Sequence, residues 1–188
     1  MKFLLAGLVV LAIIVLVVVR LLRGRFPTDP KIAFKIPADQ NVDTRPNVGD
    51  IDALALKLEV DNKQSLFLML AADGTVNRMG SGTMEDVNGG LFIGKIDPDI
   101  FEAVRAHVTQ PMLAYLGQTF QNQSSPGTRY NLSVTFRFKD GTSNGLGFFC
   151  GSGSEGPPED VATLMQEAVR RTDPWYENFK QNAAKQNP

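Results

Sequence analysis

The chain begins with a long apolar run. Phe3–Val19 is unbroken by any polar residue, and Arg20 is the one charge before Leu22. A helix that spans a hydrocarbon core of roughly 30 Å needs about 20 predominantly apolar residues. A long arginine side chain near the end of such a helix can reach the headgroups. The pattern therefore predicts a transmembrane helix over residues 3–22, with the lipid bilayer as its partner.

A cleaved signal peptide is the alternative interpretation of this run. Its apolar region usually has about 7–15 residues and is followed by small residues at the cleavage site. Here the run is longer, and Arg20, Arg23 and Arg25 follow it. These flanks favour an uncleaved signal-anchor, so residues 1–25 are predicted to be a membrane anchor with a basic collar.

The flanking charges also predict the orientation of the anchor. Lys2 stands alone before the run, whereas three arginines and then Lys31 and Lys35 follow it. Lysine and arginine near a span are retained on the cytoplasmic side. We therefore expect a single-pass protein whose soluble domain is cytoplasmic rather than exported.

Residues 26–50 differ in composition from the segments on either side. They contain four prolines, Pro27, Pro30, Pro37 and Pro46. Proline fixes φ and lacks a backbone donor, so the segment is predicted to be an extended tether. The short alternation of Ile32, Phe34 and Ile36 could also add an edge strand to the domain, since flanking prolines suit an edge position. The soluble domain is expected over residues 51–180, and residues 181–188 are expected to be a polar tail.

Within the domain, apolar and polar residues alternate with a period of two, which predicts strands with one buried face. About six such strands are predicted, over residues 54–60, 66–71, 75–79, 91–96, 130–138 and 145–150. Asp73-Gly74 and Asp140-Gly141 are typical of tight hairpin turns between neighbouring strands. The polar stretch 118–128 is predicted to be a surface loop.

Helical periodicity appears in the segments between and after these strands. Asp97-Pro98 is a helix start, with Asp97 as the cap, and a shorter helical piece ends at Gly117. A closing helix carries apolar residues at i, i+3, i+4, i+7 and i+8 from Val161, and Asp173-Pro174 is expected to end it. The predicted fold class is α+β: an antiparallel sheet of about six strands with two or three helices packed on one face.

The two halves of the domain share a local pattern. A strand, an Asp-Gly-Thr turn, a second strand, a Gly-rich loop and a helix occur once around Asp73 and again around Asp140. This pattern is consistent with a ββα-type internal duplication. Independent hairpins are the alternative, because Asp-Gly turns are common.

Charge excludes one class of partner. Residues 26–188 contain all 20 acidic residues and 15 of the 19 basic ones, so their net charge is 15 − 20 = −5. Nucleic-acid-binding domains usually carry a basic surface. Binding to DNA or RNA is therefore not expected.

The glycine-rich loops are the first candidates for a binding site. Gly151–Gly156 matches G-x-G-x-x-G between a strand and a helix. The dinucleotide-binding motif also needs a following parallel strand with an acidic residue near its end, which this chain lacks. No cofactor is therefore expected. A small-ligand site between Gly80–Gly90 and Gly151–Gly156 remains an alternative if both loops line one pocket.

Catalytic and metal-binding candidates are few. His107 is the sole histidine, so a multi-histidine metal site is not expected, and helix capping explains the paired carboxylates near residues 98 and 159. Cys150 with His107 could form a nucleophile–base dyad, although a buried inert cysteine at a strand end is the simpler interpretation. No catalytic, cofactor-binding or metal-binding residue is therefore predicted.

The sequence thus favours a non-catalytic protein-interaction module held at a membrane. The aromatic residues Trp175, Tyr176 and Phe179 either pin the C-terminus to the core or form part of a partner site. The alternatives are a membrane-tethered hydrolase or transferase using Cys150 and His107, and the small-ligand-binding domain described above.

Overall fold

A mixed seven-stranded sheet with helices on one face is the architecture seen in a computed structural model of the protein. The structure describes residues 46–83, 90–121, 127–153 and 156–186. The predicted transmembrane helix, its basic collar and the tether as far as residue 45 lie outside the described residues. Among the helices that are described, none is long and apolar enough to cross a membrane.

The described elements begin with one turn of 3-10 helix, Val48–Asp50, in the last residues of the predicted tether. The strands are β1 Ile51–Val60, β2 Lys63–Ala71, β3 Thr75–Met79, β4 Phe92–Lys95, β5 Thr119–Gln121, β6 Arg129–Phe138 and β7 Ser143–Gly151. The helices are α1 Pro98–Arg105, α2 Gln110–Leu113 and α3 Glu159–Gln186. The order across the sheet is β4-β3-β2-β1-β6-β7-β5.

The α+β class and all six predicted strands are confirmed, but the sheet is neither six-stranded nor wholly antiparallel. β5 lies within the stretch predicted to be a loop, and it pairs in parallel with β7. Its one apolar residue, Phe120, stacks on Phe148 with ring centroids 5.2 Å apart. A strand with a single apolar residue has no alternation to detect, which is why the sequence pattern missed it.

The register of the sheet places the apolar residues of neighbouring strands next to one another on one face. Leu54, Leu56 and Leu58 of β1 lie opposite alternate leucines of β2 and opposite Phe136, Val134 and Leu132 of β6. All of these side chains are buried together with apolar residues of the three helices. Because burying one such side chain contributes about 1.5–3 kcal/mol, this helix-covered face is the main source of stability.

The closing helix is longer than the sequence predicted. Asp173-Pro174 does not end it, since α3 continues through Pro174 to Gln186 and takes in most of the predicted polar tail. A proline in a helix interior removes one backbone hydrogen bond and costs about 3 kcal/mol. Contacts on both sides of Pro174 offset that cost: Thr172 is buried and bonded to Arg78, and Tyr176 is fully buried.

The two Asp-Gly-Thr turns have the same local geometry. In each, the aspartate Oδ1 accepts a hydrogen bond from the backbone N–H of the threonine, at 2.9 Å for Asp73 and 2.8 Å for Asp140. The similarity stops after the hairpins. β3 is followed by β4 and then α1, whereas no strand stands between β7 and α3 in the order of elements.

Candidate functional site

His107 lies just after α1 and faces the closing helix. Its Nε2 is 3.9 Å from Oε2 of Glu167. Glu167 also accepts hydrogen bonds from Arg170 and Arg171. The Arg170 guanidinium is the main reason why the pKa of Glu167 lies below its usual range. The histidine is thus beside a carboxylate already occupied by two arginines.

A shallow cavity of about 570 Å³ lies beside His107, between the end of α1 and the start of α3. Its lining residues are Ala106, His107, Thr109, Glu159, Asp160 and Thr163. The hydroxyl of Thr109 donates to Oδ2 of Asp160 at 2.7 Å, and Oδ1 of Asp160 accepts from the N–H of Val161. Both oxygens of the Asp160 carboxylate are therefore already bonded within the protein.

Cys150 lies elsewhere, on β7 opposite Tyr130. It is half-buried and is not among the residues that line the cavity beside His107. Burial raises the pKa of its thiol, which reduces the thiolate fraction at neutral pH. An activated nucleophile needs the opposite shift. The described residues therefore provide Cys150 with no activating partner.

The glycine-rich loops use their described backbone donors internally. The N–H of Gly80 donates to the Tyr176 hydroxyl at 2.9 Å, and that of Gly82 donates to the Ser65 carbonyl. The N–H of Ser152 donates to the Thr128 carbonyl. Both loops follow strands that end at the same end of the sheet, but β2, β1 and β6 separate β3 from β7, a distance of about 19 Å. Residues 84–89 and 154–155 of these loops lie outside the described residues.

Arg78 is a functional candidate that the sequence reasoning missed. It occupies a helix-facing position of β3, opposite Leu68, and its side chain is fully buried. Its guanidinium donates to buried and half-buried acceptors: the carbonyls of Gly80 (3.3 Å) and Val169 (3.1 Å), the hydroxyl of Thr172 (2.8 Å) and the carboxylate of Asp173 (2.5 Å).

The ring of Tyr176 completes the surroundings of Arg78, with the guanidinium carbon 4.6 Å from the ring centroid. A buried cation is tolerated only when its hydrogen bonds and charge are compensated, as they are here. Arg78 therefore clamps the end of β3 to the middle of α3. The sequence did carry a signal: the alternation of β3 places this charged residue on the same face as Val76.

The second half of α3 lies over the edge strand β4. Trp175 and Phe179 pack with ring centroids 4.6 Å apart, and Phe179 also contacts Phe92 of β4 at 6.1 Å. We call Phe92, Trp175 and Phe179 the aromatic cluster. Gly94 makes this packing close, since a Cβ there would lie 3.0 Å from the Trp175 ring.

Exposed apolar side chains lie on and around β4, although Lys95 shares the other face of the strand with Ile93. Ile93 is 64% exposed and Leu91 is 51% exposed, and Phe179 of the aromatic cluster is 37% exposed. Solvent-facing positions of a half-covered sheet are normally polar. Three of the four large apolar side chains that are exposed among the described residues thus lie at or beside β4. The fourth, Phe149, is 43% exposed and lies on β7, toward the other side of the sheet.

Toward β2, the face away from the helices carries half-buried residues that are apolar apart from Asn77, and we call Phe67, Met69 and Met79 the apolar strip. Ile93 neighbours Asn77, which pairs with Met69, and the next row pairs Met79 with Phe67. On the same face, Lys57 and Glu59 form an ion pair at 2.5 Å. That contact lowers the pKa of Glu59. The strip is therefore bordered by paired rather than isolated charges.

The described residues offer no group of three or more candidate metal ligands. Comparisons of the chain with models of known families, with curated proteins and with solved structures find no match. Any function must therefore be argued from the residues themselves.

Proposed function

We propose that the protein is a single-pass membrane protein, anchored by residues 3–22, whose α+β domain binds a protein partner without catalysing a reaction. The observation that carries this proposal is the concentration of exposed apolar side chains around β4. Exposed apolar groups that lie together typically mark protein-interaction sites, whereas scattered ones need no explanation.

The arrangement of polar groups supports a binding role over a catalytic one. Among the described residues, the side chains that could do chemistry have structural partners: His107 faces Glu167, and Asp160 bonds Thr109 and the start of α3. Burial raises the pKa of the Cys150 thiol. A nucleophilic cysteine needs a lowered thiol pKa, and the hydrogen bonds that Glu167 and Asp160 accept within the protein give both carboxylates structural roles.

The anchor and the charges beside it support a cytoplasmic location for the domain. The arginines after the apolar run are on the domain side of the expected span. Positive residues of this kind are retained in the cytoplasm. A partner would then be a cytoplasmic protein or the cytoplasmic part of another membrane protein.

Crosslinked co-purification from native membranes tests the proposal. The full chain is compared with a chain that lacks residues 1–25, and both are recovered after crosslinking and washing. We expect the full chain to recover a partner in stoichiometric amount and the truncated chain to recover less, because it is no longer concentrated at the membrane. Recovery of no stoichiometric partner by either chain would contradict the proposal.

A further inference from the structure

We infer that the edge of β4 that no described strand covers is the docking site, and that its occupant is an extended apolar segment of a partner protein that adds a strand to the sheet. This inference rests on the proposed function and deepens it, because it names the surface and the kind of partner. Strand addition at a sheet edge is a general mode of peptide recognition in which backbone hydrogen bonds give affinity and side-chain contacts give specificity.

The backbone groups of β4 point alternately toward β3 and toward the open side of the edge. The N–H of Ile96 donates to the carbonyl of Gly74, and the antiparallel register continues through Gly94 opposite Val76. Hydrogen-bonded and non-hydrogen-bonded pairs alternate in such a ladder. The N–H and C=O groups of Ile93 and Lys95 therefore point away from β3, toward the open side of the edge.

This edge has no neighbour among the described strands. β4 is the last strand on its side of the sheet. Exposed edge strands are usually protected by lysine, proline, bulges or covering segments. Lys95 is such a residue, but its ammonium is held back by Asp73 and Thr75, at 2.8 Å from each. Ile93 is not a protective residue.

A strand added at this edge would have residues of this protein beside both of its faces. Successive side chains of a strand point to opposite faces. One set of partner side chains would lie beside Ile93 and Lys95, on the face of β4 away from the helices. The other set would lie beside Phe92 and Phe179 of the aromatic cluster. The occupant is thus extended, apolar where it faces Ile93 and the aromatic cluster, and free of proline over the paired residues.

The size of the edge distinguishes this occupant from a second copy of the chain. Leu91–Lys95 spans about 17 Å at roughly 3.3–3.4 Å per residue. Two such edges paired with one another would bury much less than the roughly 800 Å² per partner of a stable dimer. A linear peptide does not need an area of that size, because backbone hydrogen bonds along the edge supply its affinity.

The test uses the full chain in lipid nanodiscs to select from a displayed library of random linear 12-residue peptides. We expect enriched peptides to be apolar and β-branched without proline, and to slow amide hydrogen exchange at Ile93 and Lys95. The variant Ile93→Pro removes the outward donor but leaves the β3–β4 hydrogen bonds intact. It should weaken binding of these peptides about tenfold or more.

Two further variants separate binding from folding. Ile93→Val keeps the apolar side chain and the donor, and should bind within about twofold of the wild type because the change is conservative. Ile93→Lys keeps every backbone donor but removes the apolar contact, and should also lose binding. Enrichment of no peptide, or equal binding by wild type and Ile93→Pro, would overturn the inference.

The remaining outcomes keep this inference distinct from the proposed function. If the full chain dimerises in nanodiscs and Ile93→Pro makes it monomeric, the occupant is a second copy and the peptide assignment is wrong. If a partner recovered from membranes is retained equally by Ile93→Pro, the edge assignment fails while the proposed function stands. If peptides bind at the edge but membranes yield no partner, the proposed function fails instead.

Discussion

At the scale of single residues, Arg78 carries the strongest constraint in the described part of the fold. It occupies a core-facing strand position where an apolar residue is the usual choice, yet its guanidinium is bonded to four groups on two segments. Asp173 is 49% exposed, so the carboxylate keeps part of its hydration while the guanidinium has none. Among Arg78 and the groups that it bonds, the arginine therefore matters most for stability.

We predict that Arg78→Met destabilises the protein by about 2–4 kcal/mol, because buried acceptors lose their donor. The matched control is Arg170→Met, since the side chain of Arg170 is 63% exposed and pairs with Glu167 on the same helix. That change should cost at most about 0.5–1 kcal/mol. Denaturant unfolding of the full chain in neutral detergent, followed by far-ultraviolet circular dichroism, measures both. Equal costs would contradict the prediction.

Asp73 gives a prediction about acid stability. Hydrogen bonds from Lys95, and then from Thr75, hold the pKa of its carboxyl well below the usual range. A group with a lowered folded-state pKa stabilises the protein above its unfolded pKa of about 3.9 and loses that contribution as the pH falls. Wild type should therefore exceed Asp73→Asn in stability at pH 7, and the difference should shrink steadily below about pH 5.

Thermal unfolding of both proteins from pH 7 down to about pH 2.5 checks this expectation. The control is the same substitution in a Lys95→Met background, where the pH dependence of the difference should be smaller, because the largest cause of the lowered pKa is removed while the hydrogen bonds from Thr75 remain. A difference between wild type and Asp73→Asn that stays constant over the whole range would show that the ionised carboxylate is not the cause.

At the scale of elements, the two Asp-Gly-Thr turns form an internal comparison. Gly74 and Gly141 both have positive φ, 78° and 85°, which alanine adopts at a cost of roughly 1–2 kcal/mol. Their surroundings differ. A Cβ at Gly74 would lie 2.3 Å from the backbone oxygen of Ile96, whereas a Cβ at Gly141 would meet nothing within 4 Å.

We therefore predict that Gly141→Ala costs about 1 kcal/mol and that Gly74→Ala costs at least about 1 kcal/mol more, because the clash adds to the strain. The two variants share the same turn sequence, so each controls for the other. Denaturation midpoints provide the measurement. If the two changes cost the same, the contact between the first turn and Ile96 is not rigid.

The elements that the sequence predicted correctly are those with a regular apolar period. β1 and β6 alternate over their length, and the first half of α3 has a clear helical stripe. The failures occurred where a tertiary contact outweighs a local rule. Pro174 lies within α3 because residues before and after it are fixed to the sheet, and β5 depends on Phe120 stacking against Phe148.

At the scale of the whole molecule, the candidate site was only partly predictable. The aromatic residues Trp175 and Phe179 could be singled out as either core or partner contacts, and the structure places them over an edge strand. That β4 is an edge depends on strand order, which the alternation of residues does not encode. The exposure of Ile93 also depends on strand order. Its place in the apolar and polar alternation is the same as that of residues in interior strands, so the sequence pattern alone does not mark it as exposed.

Topology gives the prediction that belongs to the whole chain. A C-terminal fusion to a fluorescent protein that matures in the bacterial cytoplasm should fluoresce. A fusion to a phosphatase that is active only after export should be inactive. Both follow from the basic collar, because arginines beside a span are retained in the cytoplasm. Replacing Arg20, Arg23 and Arg25 by asparagine and adding lysines before Phe3 is the matched control and should reverse both readouts. An active phosphatase on the unaltered chain would place the domain outside.

The packing of Trp175 has a spectroscopic consequence. It is the only tryptophan in the chain, and it lies against Gly94 and Phe179 beside the proposed docking edge. Its indole N–H is buried and has no acceptor among the described residues. The emission of this one fluorophore is therefore expected to respond to any change at β4. Trp175 therefore provides an optical readout for tests of the proposed docking at that edge.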